Sequence, residues 1–212
     1  NAGHTARTLP FGYLSTQEPQ TDACGGTGPA DGCGDLSAGM VSITLDDGLS
    51  SHHALARSHL LARQLEATLF IVTDRIANGF AGYLTPQQLQ DFVADGHQVA
   101  AHTLDHANLT QLSAMRVDDE LRLSKQWLET ALGITVTDFA APFGAYNGTV
   151  LDTARRYYQS NATAGGGLNF RGDDPYLLKR DVVTATTTPA QLLQLIQQAQ
   201  AERGWRILCF HA

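Results

Sequence analysis

The sequence predicts an α/β protein built on a parallel sheet, either closed into a barrel or doubly wound. Three observations lead there. From Met40 onward, short β-type runs alternate with helical patterns. Several helical stretches carry start signals such as Thr85-Pro86 and Thr188-Pro189, and stop signals such as Gly96, Gly133 and Gly204. Several β-type runs also end abruptly in carboxylates, histidines or a Pro-Gly turn, as strands do when they deliver functional groups at their carboxyl ends.

Residues 1–39 are rich in Gly, Thr, Pro and Ala without a sustained period, and read as an irregular N-terminal arm preceding a domain over 40–212. The domain opens with the strand candidate MVSITLD, followed by the helical pattern SHHALARSHLLARQL. The strand ATLFIVT then leads into the helix TPQQLQDFVADG, and HQVAAH into SAMRVDDELRLSKQWLETALG. VTDFAAP precedes the helix NGTVLDTARRYYQ. SNATAGG and YLLKRDVV follow, then the helix TPAQLLQLIQQAQAERG and the last strand, RILCFH. These are seven strand candidates in one chain, without internal repeat.

A chain of 212 residues is long enough for one large core. The net charge of −7 argues against a nucleic-acid-binding surface. No apolar run approaches the about 20 residues that cross a bilayer, and no signal segment stands at the N-terminus, as expected of a mature or trimmed chain. Two of the three cysteines, Cys24 and Cys33, lie in the loop CGGTGPADGC. A short disulfide would suit that loop and an oxidising compartment; two idle thiols are the alternative.

The chemistry starts where the first strand stops, at Asp46-Asp47-Gly48. Two adjacent carboxylates repel unless a cation, a shared proton or a basic partner compensates them. The third strand runs into His102-Thr103-Leu104-Asp105-His106. If these residues form a helical turn, both imidazoles project to one side, and with one aspartate they make a facial set for zinc or another divalent ion. A metal held by Asp47, His102 and His106 would offset the repulsion. The fourth strand ends in a tight turn around Pro142 and Gly144 that can expose a backbone N–H as an oxyanion donor. The last strand delivers His211, placed as a general acid. His52, His53, His59 and His97 lack such an arrangement and read as surface or loop histidines.

Together these segments resemble the polysaccharide deacetylases of the NodB-homology type, carbohydrate esterase family 4. The matching motifs are Thr44-Leu45-Asp46-Asp47-Gly48, His102-Thr103-Leu104-Asp105-His106, Pro142-Phe143-Gly144 and Leu208-Cys209-Phe210-His211, in the family's order. The resemblance implies a distorted (β/α)7-type barrel and metal-dependent removal of acetyl groups from a carbohydrate, N-acetyl ahead of O-acetyl. It makes Asp46 the general base and Asp47, His102 and His106 the ligands of one divalent ion, with Zn ahead of Co, Ni or Mn. His211 becomes the acid and the Phe143 N–H an oxyanion donor, while Pro142, Tyr146 and Cys209 line the substrate pocket. An acetylated glycan outside the cytoplasm is the implied partner, by secretion or at the periplasm or cell surface.

Two departures from the family pattern stand out. Ala140 occupies the place of the arginine that pairs with the base. Arg180 could supply that charge in space and Asp181 could orient His211; an ordinary surface ion pair is the other reading. Cys209 replaces an aliphatic residue of the acetate pocket, as a small hydrophobe. A silent carbohydrate-binding barrel and a metal-dependent amidase on non-sugar substrates are the alternative functions.

Overall fold

The computed structural model describes residues 39–211; the arm and the Cys24/Cys33 pairing therefore lie outside the described residues. Seven parallel strands form one sheet: β1 (Met40–Asp47), β2 (Thr68–Ile71), β3 (Gln98–Ala101), β4 (Asp138–Ala140), β5 (Ser160–Ala162), β6 (Asp181–Val183) and β7 (Trp205–Phe210). Their order across the sheet is β5-β4-β3-β2-β1-β7-β6, so β1 lies inside the sheet between β2 and β7. The sheet curls until one short segment touches both edges. Leu178 bridges to Ala162 of β5, and three residues later Asp181 pairs with Leu208 of β7. This curled parallel sheet is the distorted barrel that the family resemblance implies.

Side-chain alternation divides the interior in two. On β2, Leu69 and Ile71 join the larger apolar cluster with Leu89, Phe92, Val99, Leu121, Leu128, Phe139 and Val150. Phe70, between them, joins Ala100, Ala140, Ala162, Trp205 and Ile207 in a second cluster. Three of those positions are alanine, which leaves room for polar side chains on the same face.

The helices follow their sequence signals closely. In α3 (Pro86–Ala94) and α6 (Pro189–Glu202), Thr85 and Thr188 form capping boxes with Gln88 and Gln191. Ser113 and Asn147 cap α4 (Ala114–Leu132) and α5 (Gly148–Tyr157), and Gly133 ends α4 at φ 67. Two stretches depart from expectation. The stretch after β1 starts as a π-helical turn, His52–Ala56, before α1 (Arg57–Leu61). The predicted strand through Thr73 ends at Ile71, and Thr73–Ala77 forms a helix, α2, that the sequence did not suggest. Its first N–H groups explain it: Thr73 donates to the Thr103 carbonyl at 3.2 Å and Asp74 to that of Leu104 at 2.9 Å. The helix start is satisfied by a neighbouring loop, so β-propensity loses to tertiary bonding.

Phe139 is fully buried and stacks on Tyr158 with 5.2 Å between ring centroids. Phe139→Ala should therefore cost about 3–5 kcal/mol of unfolding free energy. Leu193→Ala, on an α6 side chain that is 54% exposed, should stay within about 0.5 kcal/mol. Urea unfolding midpoints of the two variants check the contrast.

Candidate functional site

Asp46 and Asp47 are neighbours on β1, and a regular strand would send them to opposite faces. Asp47 breaks the alternation with φ 74, followed by Gly48 at φ 76. Asp46 lines a cavity of about 430 Å³ whose walls also include His102, His106, Phe143, Arg180, Cys209 and His211, and Asp47 meets two of these histidines. The Asp47 Oδ1 lies 3.6 Å from His102 Nε2 and 3.4 Å from His106 Nε2.

The helical turn expected over 102–106 is not what unites the two histidines. The segment is an irregular loop with Thr103 at φ 71 and His106 at φ 69. Thr103 Oγ1 accepts the His106 N–H at 3.0 Å, and Glu120 Oε2 on α4 accepts those of Leu104 at 2.9 Å and Asp105 at 3.4 Å. With α2 donating to the Thr103 and Leu104 carbonyls, the loop is held from both sides, and the two rings meet edge-on at 4.9 Å. Four-residue spacing was right for the pairing but wrong for the element.

His102 is buried, and its Nδ1 donates to the Ala140 carbonyl at 2.7 Å, leaving the Nε2 lone pair to face the aspartates. Burial pushes its pKa down to about 4 against the pull of Asp46, so the imidazole is neutral near pH 7 and its contacts with the aspartates are not ion pairs. Asp47 Oδ1 is buried without a hydrogen-bond partner. Ligand atoms of Asp47, His102 and His106 all lie within 4.8 Å of one another. A buried orphan carboxylate oxygen facing two imidazole nitrogens is what a divalent cation would satisfy, so these residues fit such an ion.

Asp46 is fully buried. Burial alone would raise its pKa, but the Arg180 charge, followed by the other basic groups around it, outweighs this and the carboxyl is held below the usual range. Arg180 Nη1 sits 2.8 Å from Asp46 Oδ1. The guanidinium is buried too, its Nε donating to the Thr163 carbonyl at 3.1 Å and its Cζ 5.1 Å from the Phe70 ring centroid. An arginine just before β6 thus lies against the carboxylate, with Ala140 on β4. This is not a surface pair.

His211 follows β7, and a ring nitrogen of it lies with an Asp46 oxygen and the Cys209 sulfur within 4.8 Å. Its carbonyl lies 3.3 Å from Nε2 of His52, which is 2% exposed. His52 is therefore no surface residue, and neither is His97, which is 5% exposed and accepts the Ala67 N–H at 3.1 Å. Asp181 does not reach His211. Strand alternation turns it to the other side of β6, where it meets Arg206 at 2.8 Å and the Gly167 N–H. Of the three residues expected to line the pocket, only Cys209 does; Pro142 is buried beneath the turn and Tyr146 points to solvent. Phe143, at φ 60, instead packs its exposed ring edge-on to His106 at 4.7 Å and forms the rim. Glu120 escaped notice although a signal existed. It lies on the buried stripe of α4 with Val117, Leu121, Ser124 and Leu128, where a charged residue needs a reason.

Residues 34–160 match the family model for polysaccharide deacetylase. The chain is 29% identical to YxkH of Bacillus subtilis over 141 residues, 66% of this chain and 50% of that protein. It is also 29% identical to chitin deacetylase 1 of Cryptococcus neoformans over 102 residues, 48% of this chain but 20% of that one. The chain thus spans half or less of these two relatives. Among solved structures, the Streptococcus pyogenes deacetylase PplD, in complex with acetate, superposes with a TM-score of 0.70 at 28% identity, over 73% of this chain and 69% of that one.

Removing the Glu120 carboxylate should loosen the histidine loop. Glu120→Ala is expected to weaken Zn²⁺ binding by about 10–100-fold, as losses outside the ligand set commonly do, while the circular-dichroism spectrum stays native. Unchanged affinity in a competition titration against a chromogenic chelator would remove Glu120 from this role.

Proposed function

Since this chain belongs to the polysaccharide deacetylase family, we propose that it hydrolyses acetyl groups, N-acetyl ahead of O-acetyl, from an acetylated polysaccharide or oligosaccharide. The observation that carries this reading is the buried Arg180–Asp46 pair, 2.8 Å apart, in the same cavity as His102, His106 and His211, with Asp47 against the two histidines His102 and His106. It supplies the cationic partner whose absence from the third motif was the one reason to expect a silent barrel.

Asp47, His102 and His106 would hold one divalent ion, Zn²⁺ by the character of two imidazoles and a carboxylate. When bound, such an ion acidifies water and polarises an acetyl carbonyl. Asp46 then accepts the proton of the attacking water. Arg180 fixes the Asp46 carboxylate through Oδ1 and keeps it ionised, leaving Oδ2 to receive that proton. The Phe143 N–H donates to the carbonyl oxygen as it gains charge. His211 passes a proton to the departing nitrogen or oxygen, which leaves as amine or alcohol alongside acetate. A glycan substrate implies work outside the cytoplasm, by secretion or at the periplasm or cell surface.

Release of acetate from a chromogenic acetyl ester and from N-acetylglucosamine oligomers tests this directly. Turnover should vanish with a chelator and return with Zn²⁺; no turnover by the Zn²⁺-loaded protein on either substrate would sink the proposal. Asp46→Asn should retain stoichiometric metal while kcat falls by about 10²–10⁴, the usual worth of a general base. Arg180→Met should move the acid limb of the kcat/KM profile to higher pH. Arg180 is the main group that lowers the Asp46 pKa, and burial pushes the other way. An unmoved limb would show that Arg180 does not tune the base.

A further inference from the structure

The cavity holds a second set of donor atoms that the proposed reaction uses only in part. Ligand atoms of Asp46, Cys209 and His211 lie within 4.8 Å of one another, and all three residues line the cavity. Cys209 is 1% exposed and the free thiol among the described cysteines, and β7 brings it beside Thr44 of β1. We propose that Asp46, Cys209 and His211 form a second, inhibitory site for a thiophilic divalent cation such as Cd²⁺ or excess Zn²⁺.

The donor set itself argues for that ion class. One carboxylate, one imidazole and one thiolate are the mixed O, N and S ligands that borderline and soft cations accept, whereas Mg²⁺ and Ca²⁺ require oxygen. Binding forms a sulfur–metal bond as the thiol releases its proton to solvent, so no redox partner is needed. Burial and the nearby Asp46 carboxylate push the Cys209 thiol up to about 12, hence the sulfur is protonated until a cation displaces the proton. The Arg180 charge beside Asp46 opposes a second cation as well. Both features make this set weaker than Asp47, His102 and His106, which needs no thiolate, so it fills only when metal is in excess. Occupation would engage the base and the acid of the proposed reaction together and block the space in front of them. The inhibitory half rests on the deacetylase reading; the binding half does not.

The test begins with protein carrying one equivalent of Zn²⁺, in a Cys24→Ser/Cys33→Ser background so that Cys209 is the remaining thiol. Added Cd²⁺ should bind as a further equivalent, with a sulfur-to-metal charge-transfer band in the ultraviolet. Turnover of the acetyl ester should fall by about tenfold or more, since base and acid together contribute far more than that. Mg²⁺ at the same concentration should do neither. Cys209→Ala should lose the band and the further equivalent, with its own turnover insensitive to Cd²⁺; Cys209→Val repeats the measurement without a cavity. Absence of the band in the parent, or its persistence in both variants, would overturn the site. A band without any ester turnover would leave the second site standing and count against the deacetylase reading alone.

Discussion

The site depends on one buried ion pair. Asp46 lies next to the end of β1, fully inside the protein, where a lone carboxylate would take up a proton rather than remain charged. Arg180 prevents this from 134 residues further along the chain. The guanidinium is itself buried, and it is tolerable there only because Asp46, the Thr44 hydroxyl and the Thr163 carbonyl accept its N–H groups and the Phe70 ring lies against its flat face. Neither ion is independently stable in that place. A buried pair of this kind adds little to net stability compared with apolar residues of the same shape, but removing one member strands the other at a cost of about 3–5 kcal/mol. Its presence is therefore better explained by what a permanently ionised carboxylate can do than by any contribution to folding.

The curl of the sheet is what brings the pair together. Arg180 lies in the segment that bridges β5 at Leu178 and joins β7 at Asp181, so it points across the barrel toward the end of β1. The alanines at 100, 140 and 162 on the inward face leave room for the guanidinium and the imidazoles. With Ala140 at the position where an arginine is usual in the family, this space is filled from the segment just before β6. The same charge reaches the same carboxylate by another route.

Much of this was legible in the sequence. Seven strands and the parallel arrangement follow from the alternation of β-type and helical runs, and the grouping of Asp47 with His102 and His106 and of Asp46 with His211 from what those runs deliver at their ends. What could not be read has a common physical cause. The histidine loop satisfied helical spacing, yet its shape is imposed by Glu120 and by the first turn of α2, neither adjacent to it in sequence. Arg180 and Asp181 are neighbours at the start of β6, the first just before the strand and the second its first residue, so which of them faces the cavity depends on a register that short strands specify weakly. His52 and His97 looked like surface residues because nothing local shows that a distant carbonyl or N–H will bury them.

The backbone carries a related signature. Among the described residues, six non-glycine positions have positive φ, and four of them are Asp47, Thr103, His106 and Phe143. Each such conformation costs of order 1–3 kcal/mol and persists only where surrounding structure fixes it. Here the fixing groups can be named: β1 pairing up to Asp47, the Thr103 hydroxyl and Glu120 around the loop, and the short turn that lets Gly144 pass against Ala164. Two apolar clusters below the rim supply the stability that this strain consumes. Strain is thus concentrated where a carboxylate oxygen lacks a partner and two imidazoles face it. A cation there would have little rearrangement to impose, because the fold has already placed its ligands; the cost of gathering them falls on folding rather than on binding.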